Sequence, residues 1–136
     1  MRDKAFVDSN VILYLMSEDE TKANQAEVVM TEEVILSVQV FNEVTSVARK
    51  KLGCSWDQID EFLTNIASIC AVETLTFEIH QRARTIAERY QLAFYDALIV
   101  ASALAAQCAT LYSEDMQDGL LVEGTLTIRN PFKKSL

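Results

Sequence analysis

A chain of 136 residues suits one domain, spanning 1–136, around a single core, and a composition half apolar and about a quarter charged is that of an ordinary soluble globular protein. The net charge of −8 excludes a broad electrostatic grip on nucleic acid, which needs clustered Lys and Arg, but is compatible with a cation site or a basic partner protein. Three widely spaced cysteines, Cys54, Cys70 and Cys108, without a CxxC pair or a Cys/His cluster, argue against a zinc site and read as reduced, mostly buried residues.

Lys4 to Asp8 (KAFVD) reads as a short buried strand, after which Asn10 is a suitable cap for a helix over Val11–Met16. Thr21 to Met30 is helical, with Ala23, Ala26 and Met30 on one side, and Val34–Leu36 is a second short strand. Ser37 then caps a helix running to about Leu52, which Gly53 ends. Ser55 caps a helix from Trp56 to about Cys70, Val72–Leu75 is strand-like, and Thr76 caps a helix to Tyr90. Phe94 to Gln107 is apolar nearly all round, which predicts a deeply buried helix. Thr110–Tyr112 and Leu126–Arg129 are the remaining strands. Pro131 is the only proline, and Gly53, Gly119 and Gly124 are the only glycines, so helices have few breakers. Short apolar strands alternating with helices predict an α/β fold, a parallel sheet covered on both faces, in which ligands bind outside the carboxyl ends of the strands.

The apolar stretch from Ala97 to Ala106 is interrupted by Ser102 and is too short to span a bilayer. The start, MRDKAFVDSN, lacks the apolar core of a signal peptide. The expectation is a cytoplasmic protein with no membrane association.

Carboxylates fall where the sheet rule directs attention. Asp8 follows the apolar strand AFV, and Glu114, Asp115 and Asp118 follow the strand TLY in 110-TLYSEDMQD-118. Glu43 lies at the margin of the apolar face made by Val40, Val44, Val47 and Ala48. Asp96 stands in the first turn of the buried helix, where the helix dipole tolerates an anion, beside the small residues Ala97, Ala101 and Ala105. Each acid also has a purely structural explanation: a cap at Asp8, a solvated turn at Asp115, a solvated helix margin at Glu43, a first-turn carboxylate satisfied by amides at Asp96. Gathered on one sheet edge, four carboxylates repel one another until protons or a divalent cation relieve them. Mg2+ and Mn2+ take oxygen ligands, keep several waters and promote phosphodiester hydrolysis.

Other chemistries have less to stand on. His80, the one histidine, lies beside the apolar face of its helix, and no GxGxxG or GKS/T loop cradles a nucleotide. The segment 6-FVDSN-10 resembles the strand-end motif of phosphoaspartyl phosphatases, but Asn10 stands where their second acid belongs.

In 6-FVDSNVILY-14, 42-NEV-44, 94-FYDALIVASAL-104 and 111-LYSEDMQDG-119, in this order, the chain resembles a PIN-domain ribonuclease, specifically a VapC-type toxin of a toxin–antitoxin pair. The resemblance covers the whole chain and implies a PIN-like three-layer α/β/α sandwich with a short central, mainly parallel sheet. It implies Asp8, Glu43, Asp96 and Asp115 as catalytic acids, with Asp8, Asp96 and Asp115 as ligands of Mg2+ or Mn2+, and RNA as substrate. Asn10 and Ser113 match supporting polar positions, and Glu114 and Asp118 are auxiliary acids. It also implies a homodimer and a cognate antitoxin that brings a basic side chain to the site. Arg49, Lys50 and Lys51, with Arg82, Arg84 and Arg89, are the candidate phosphate contacts, or else simply solvated helix faces. The reading from another class is a PIN-fold interaction module without catalysis, which the acidic balance favours. A nuclease acting on DNA or flap structures is a third.

Overall fold

Strand β1 (Lys4–Val7) organises the rest of the molecule in a computed structural model that describes residues 3–133. Its residues Phe6 and Val7 are fully buried, and it pairs in parallel with β2 (Glu33–Ser37) on one side and β4 (Thr110–Tyr112) on the other. Strand β3 (Ala71–Glu73) pairs with β2, and β6 (Leu126–Arg129) with β4, both in parallel. A two-residue strand β5 (Leu121–Val122) closes the edge antiparallel to β6, giving the order β3-β2-β1-β4-β6-β5. Such strands bury apolar side chains on both faces. Phe6, Leu36, Leu111 and Ile128 are fully buried, and burial at that level stabilises by about 2 kcal/mol per side chain.

The helices are α1 (Ser9–Tyr14), α2 (Glu20–Val29), α3 (Val38–Lys50), α4 (Trp56–Ile69), α5 (Phe77–Tyr90) and α6 (Phe94–Ala105). Crossovers in parallel sheets are right-handed, and the chain moves outward from β1 to β3 and then returns to β4. That reversal puts α1 to α4 on one face and α5 and α6 on the other, the anticipated sandwich. Helix α6 is buried on every residue from Ala97 to Leu104, because it lies between the sheet and α5. Ala97 and Ala101 are fully buried, while Ala105 is exposed. No described helix is long and apolar enough to cross a membrane.

Local signals explain most of the boundaries. Ser55 forms a capping box with Gln58, and Thr76 accepts from the Ile79 amide to start α5. Past the end of α3, Gly53 takes φ +66°, which a residue with a Cβ rarely adopts. Three expectations need correction. Asp8, not Asn10, caps α1, accepting from the Ser9 amide at 2.7 Å. Ser37 precedes α3, but its hydroxyl makes no cap bond and is buried without a partner. Strand β5 was not anticipated. It exists because Glu123 and Gly124 both take positive φ (51° and 73°), reversing the chain onto β6.

The chain therefore leaves β1 toward one side of the sheet and returns to β4 on the other. Between the carboxyl ends of β1 and β4 lies the topological switch point, where open α/β sheets bind ligands.

Candidate active site at the carboxyl edge of the sheet

Asp8 ends β1 at this switch point and is 4% exposed, the only carboxylate among the described residues in the buried class. Its Oδ1 accepts from the Ser9 amide, and its Oδ2 accepts from Ser113 Oγ at 2.8 Å and from Asn10 Nδ2 at 3.3 Å. Ser113 follows β4 directly and is itself fully buried, so the two central strands are joined by this bond just beyond their ends. Because Asp8 takes the cap position, the Asn10 side chain is released to reach across. Asn10 Nδ2 also donates to Asp115 Oδ2 at 3.1 Å, and Asn10 Oδ1 accepts from the Glu114 amide at 3.1 Å. One amide side chain thus bridges two carboxylates and fixes the loop after β4.

Glu43 and Asp96 enter from opposite faces of the sheet, on α3 and in the first turn of α6. Neither accepts a hydrogen bond from the described residues, and Glu43 Oε1 is buried without a partner. The Asp96 carboxylate is thus not tied to the amides of its own helix turn, and that helix has no side-chain cap. Electrostatics link the set. Burial pushes the Asp8 carboxyl up from its ordinary value against the pull of Ser113 and Ser9, and Asp96 and Asp115 push it further. Burial raises Glu43 to about 7, with Asp8, Asp96 and Asp115 adding to the rise. Burial and then Asp115 raise Asp96. Among the described residues no Lys or Arg lies within ion-pair distance of any of the four.

Glu114 and Asp118, the two auxiliary acids of the resemblance, each have a cationic partner. Glu114 binds Lys22 Nζ at 2.6 Å and the Tyr14 hydroxyl at 2.7 Å. Burial works to raise it, but these two donors prevail and hold it below its usual range. Asp118 accepts from the Asn130 amide at 2.8 Å and faces Lys133 at 3.5 Å, which lowers it too. Each is already compensated, which leaves the uncompensated charge on Asp8, Glu43, Asp96 and Asp115.

A cleft of about 310 Å³ opens beside Glu43, lined by Gln39, Asn42, Glu43, Ser46 and Tyr95. Of these only Glu43 was singled out from sequence. The missed signal is a polar stripe at i, i+3, i+4 and i+7 on α3, adjoining its apolar face at Glu43. Of the anticipated phosphate contacts, Arg82 is paired with Glu123 at 2.7 Å, and Arg49 lies over the Trp56 ring while donating to the Cys54 carbonyl.

Whether the residues fit a cation follows from their donors. All are carboxylate oxygens, one of them buried without a partner, and they repel one another, which is what a hard dication relieves. Among the described residues no three acidic, His or Cys side chains are disposed to enclose an ion directly. Mg2+ and Mn2+ bind through one or two carboxylates and retain several waters, so they do not require such an enclosure.

The model of the PIN domain family matches residues 5–117. No curated protein matches the chain. Among solved structures, a toxin–antitoxin complex from Klebsiella pneumoniae is similar at 22% identity and TM-score 0.69, over 93% of this chain and 97% of the other. Mycobacterium tuberculosis VapC20, a sarcin–ricin loop cleaving toxin, is similar at 18% identity and TM-score 0.63, over 79% and 86%. FitAB bound to an IR36 DNA fragment is similar at 17% identity and TM-score 0.69, over 97% and 98%. At these identities the likeness is one of fold, and the family match spans most of the chain: this protein belongs to the PIN domain family.

Proposed function

We propose that this protein is a Mg2+- or Mn2+-dependent endoribonuclease, the toxin of a toxin–antitoxin pair. The observation that carries the reading is the set of four carboxylates from β1, α3, α6 and the loop after β4. Burial and neighbouring carboxylates raise three of them, Asp8, Glu43 and Asp96, and none of the four has a cationic partner among the described residues. Membership of the PIN family and the fold shared with toxins of such pairs support it.

Asp8, Asp96 and Asp115 would hold the cation, directly or through water. When bound, Mg2+ or Mn2+ supplies electrostatic stabilisation of the charge that develops on the phosphodiester oxygens. Ser113 and the Ser9 amide hold Asp8 rigidly, so its carboxylate is oriented before anything binds. Asn10 does the same for Asp115. Glu43, half-buried and raised to about 7, orients the attacking water and takes its proton near neutral pH. Direct attack by water needs no covalent enzyme intermediate. By analogy with the similar toxin–antitoxin complex, the protein pairs with an antitoxin, and the family resemblance adds a homodimer.

The test is incubation of purified protein with RNA, and in parallel with DNA, in Mg2+ or Mn2+. The reading requires RNA cleavage that Asp8→Asn and Asp96→Asn abolish; cleavage unchanged in both would remove the assignment. The charge of −8 favours a second reading, an interaction module of the same fold that binds an antitoxin-like partner and cuts nothing. Absence of cleavage in the wild type, with intact folding, would select it.

A further inference from the structure

The four acids account for a cleavage centre, but not for how an acidic chain keeps hold of a polyanion. Phosphate contacts release counterions and dominate ordinary nucleic-acid affinity, and a chain of charge −8 gains little from them. Stacking of bases on aromatic rings adds affinity that does not depend on net charge.

A run of four aromatic rings leads to the acidic site. Phe77, in the first turn of α5, stacks on His80 with centroids 6.1 Å apart and planes 11° from parallel. His80 meets Phe94 at 5.3 Å, and Phe94 meets Tyr95 at 5.6 Å. The two inner rings are partly buried, but the ends stand in water: Phe77 is 68% exposed and Tyr95 62%. Tyr95 precedes Asp96 and lines the cleft that contains Glu43, so the run touches the acids at one end. In that cleft Gln39, Asn42 and Ser46 offer amide and hydroxyl groups, the donors and acceptors that base edges require. Arg84 lies two helical turns beyond Phe77, on the same side of α5 by spacing, is exposed, and has no ion-pair partner among the described residues.

We propose that Tyr95, Phe94, His80 and Phe77 form a stacking track that receives unpaired bases of single-stranded RNA beside the acidic site. Arg84 supplies a phosphate contact along it. The proposal rests on the reading of the acidic site as a ribonuclease centre, and names the substrate as a strand with its bases unstacked. Tyr95 takes the base nearest the scissile position, and Phe77 stacks a base farther along.

The full chain is titrated against a fluorescent single-stranded oligoribonucleotide by anisotropy, with Ca2+ in place of Mn2+, and against an abasic strand of equal length. Phe77→Ala and Tyr95→Ala each weaken RNA binding about tenfold, the scale of losing one stacked base. Tyr95→Phe and Phe77→Tyr keep wild-type affinity, and the abasic strand binds all variants alike. The slope of log affinity against log salt is about one or less, as a single phosphate contact demands. Wild-type affinity in both alanine variants would overturn the track, as would equal losses on the abasic strand. A shift from dimer to monomer with unchanged RNA affinity would identify the rings as a self-association face and overturn it too. Failure of the nuclease reading is separable: a wild type that binds the oligonucleotide through these rings but leaves RNA uncut in Mn2+ contradicts the cleavage centre and not the track.

Discussion

Glu43 is half-buried, and burial is the first cause of its raised carboxyl. It sits among three other carboxylates and leaves one oxygen buried without a donor, so its proton is retained to about pH 7. The consequence for stability has a definite sign. The folded chain holds this proton more tightly than the unfolded chain does, so the contribution is full below about pH 4.5 and is lost as pH rises through 7. Raised values at Asp8 and Asp96 act in the same direction. We therefore predict that the metal-free protein melts at a lower temperature near pH 8 than near pH 5.5, and that Glu43→Gln removes part of that difference; scanning calorimetry at the two values checks it. Asp96→Asn relieves repulsion at a half-exposed position that water already screens. It should be neutral or stabilising without metal, by up to about 1 kcal/mol, in denaturant unfolding. A cost of several kcal/mol would mean that Asp96 holds its helix together.

At the scale of elements, the carboxyl edge works because each acid is delivered by a piece of structure with its own reason to form. Helix α4 starts at a complete capping box. Ser55→Ala should cost about 1 kcal/mol and leave RNA cleavage unchanged, because α4 contributes no acid to the edge. Such caps were legible in sequence at Ser55 and Thr76 because their bonds close within three residues. Strand ends at Val7 and Tyr112 were legible because an acid or serine abruptly follows an apolar run. What failed was partner choice over long separations. Local spacing makes Asn10 a cap, and only the resemblance gives it a supporting place at the site; besides Asp8 its side chain reaches Ser113 and Asp115, more than a hundred residues away. Glu114 looked as free as Asp115, yet Lys22 on α2 neutralises it, a pairing that depends on how α2 docks against the exit of β4. Strand β5 escaped notice because two residues carry no periodicity; only the reversal at Glu123 and Gly124 creates it.

Across the whole molecule, charge is unevenly compensated. Lys22, Arg82 and Lys133 are engaged by Glu114, Glu123 and Asp118, away from the four central acids. The four acids at the sheet edge are thus left without cationic partners among the described residues, and a cation bound there would stabilise the fold. Saturating Mn2+, at about a hundred times its dissociation constant, should stabilise the protein by about 2.7 kcal/mol. The measurement that bears most directly on this account is calorimetric titration of Mn2+ into the wild type, Asp8→Asn and Asp96→Ala. Saturable binding to the wild type, lost or much weakened in both variants, is the expected result. A wild type that takes up no Mn2+, or variants that bind it as well as the wild type, would contradict it.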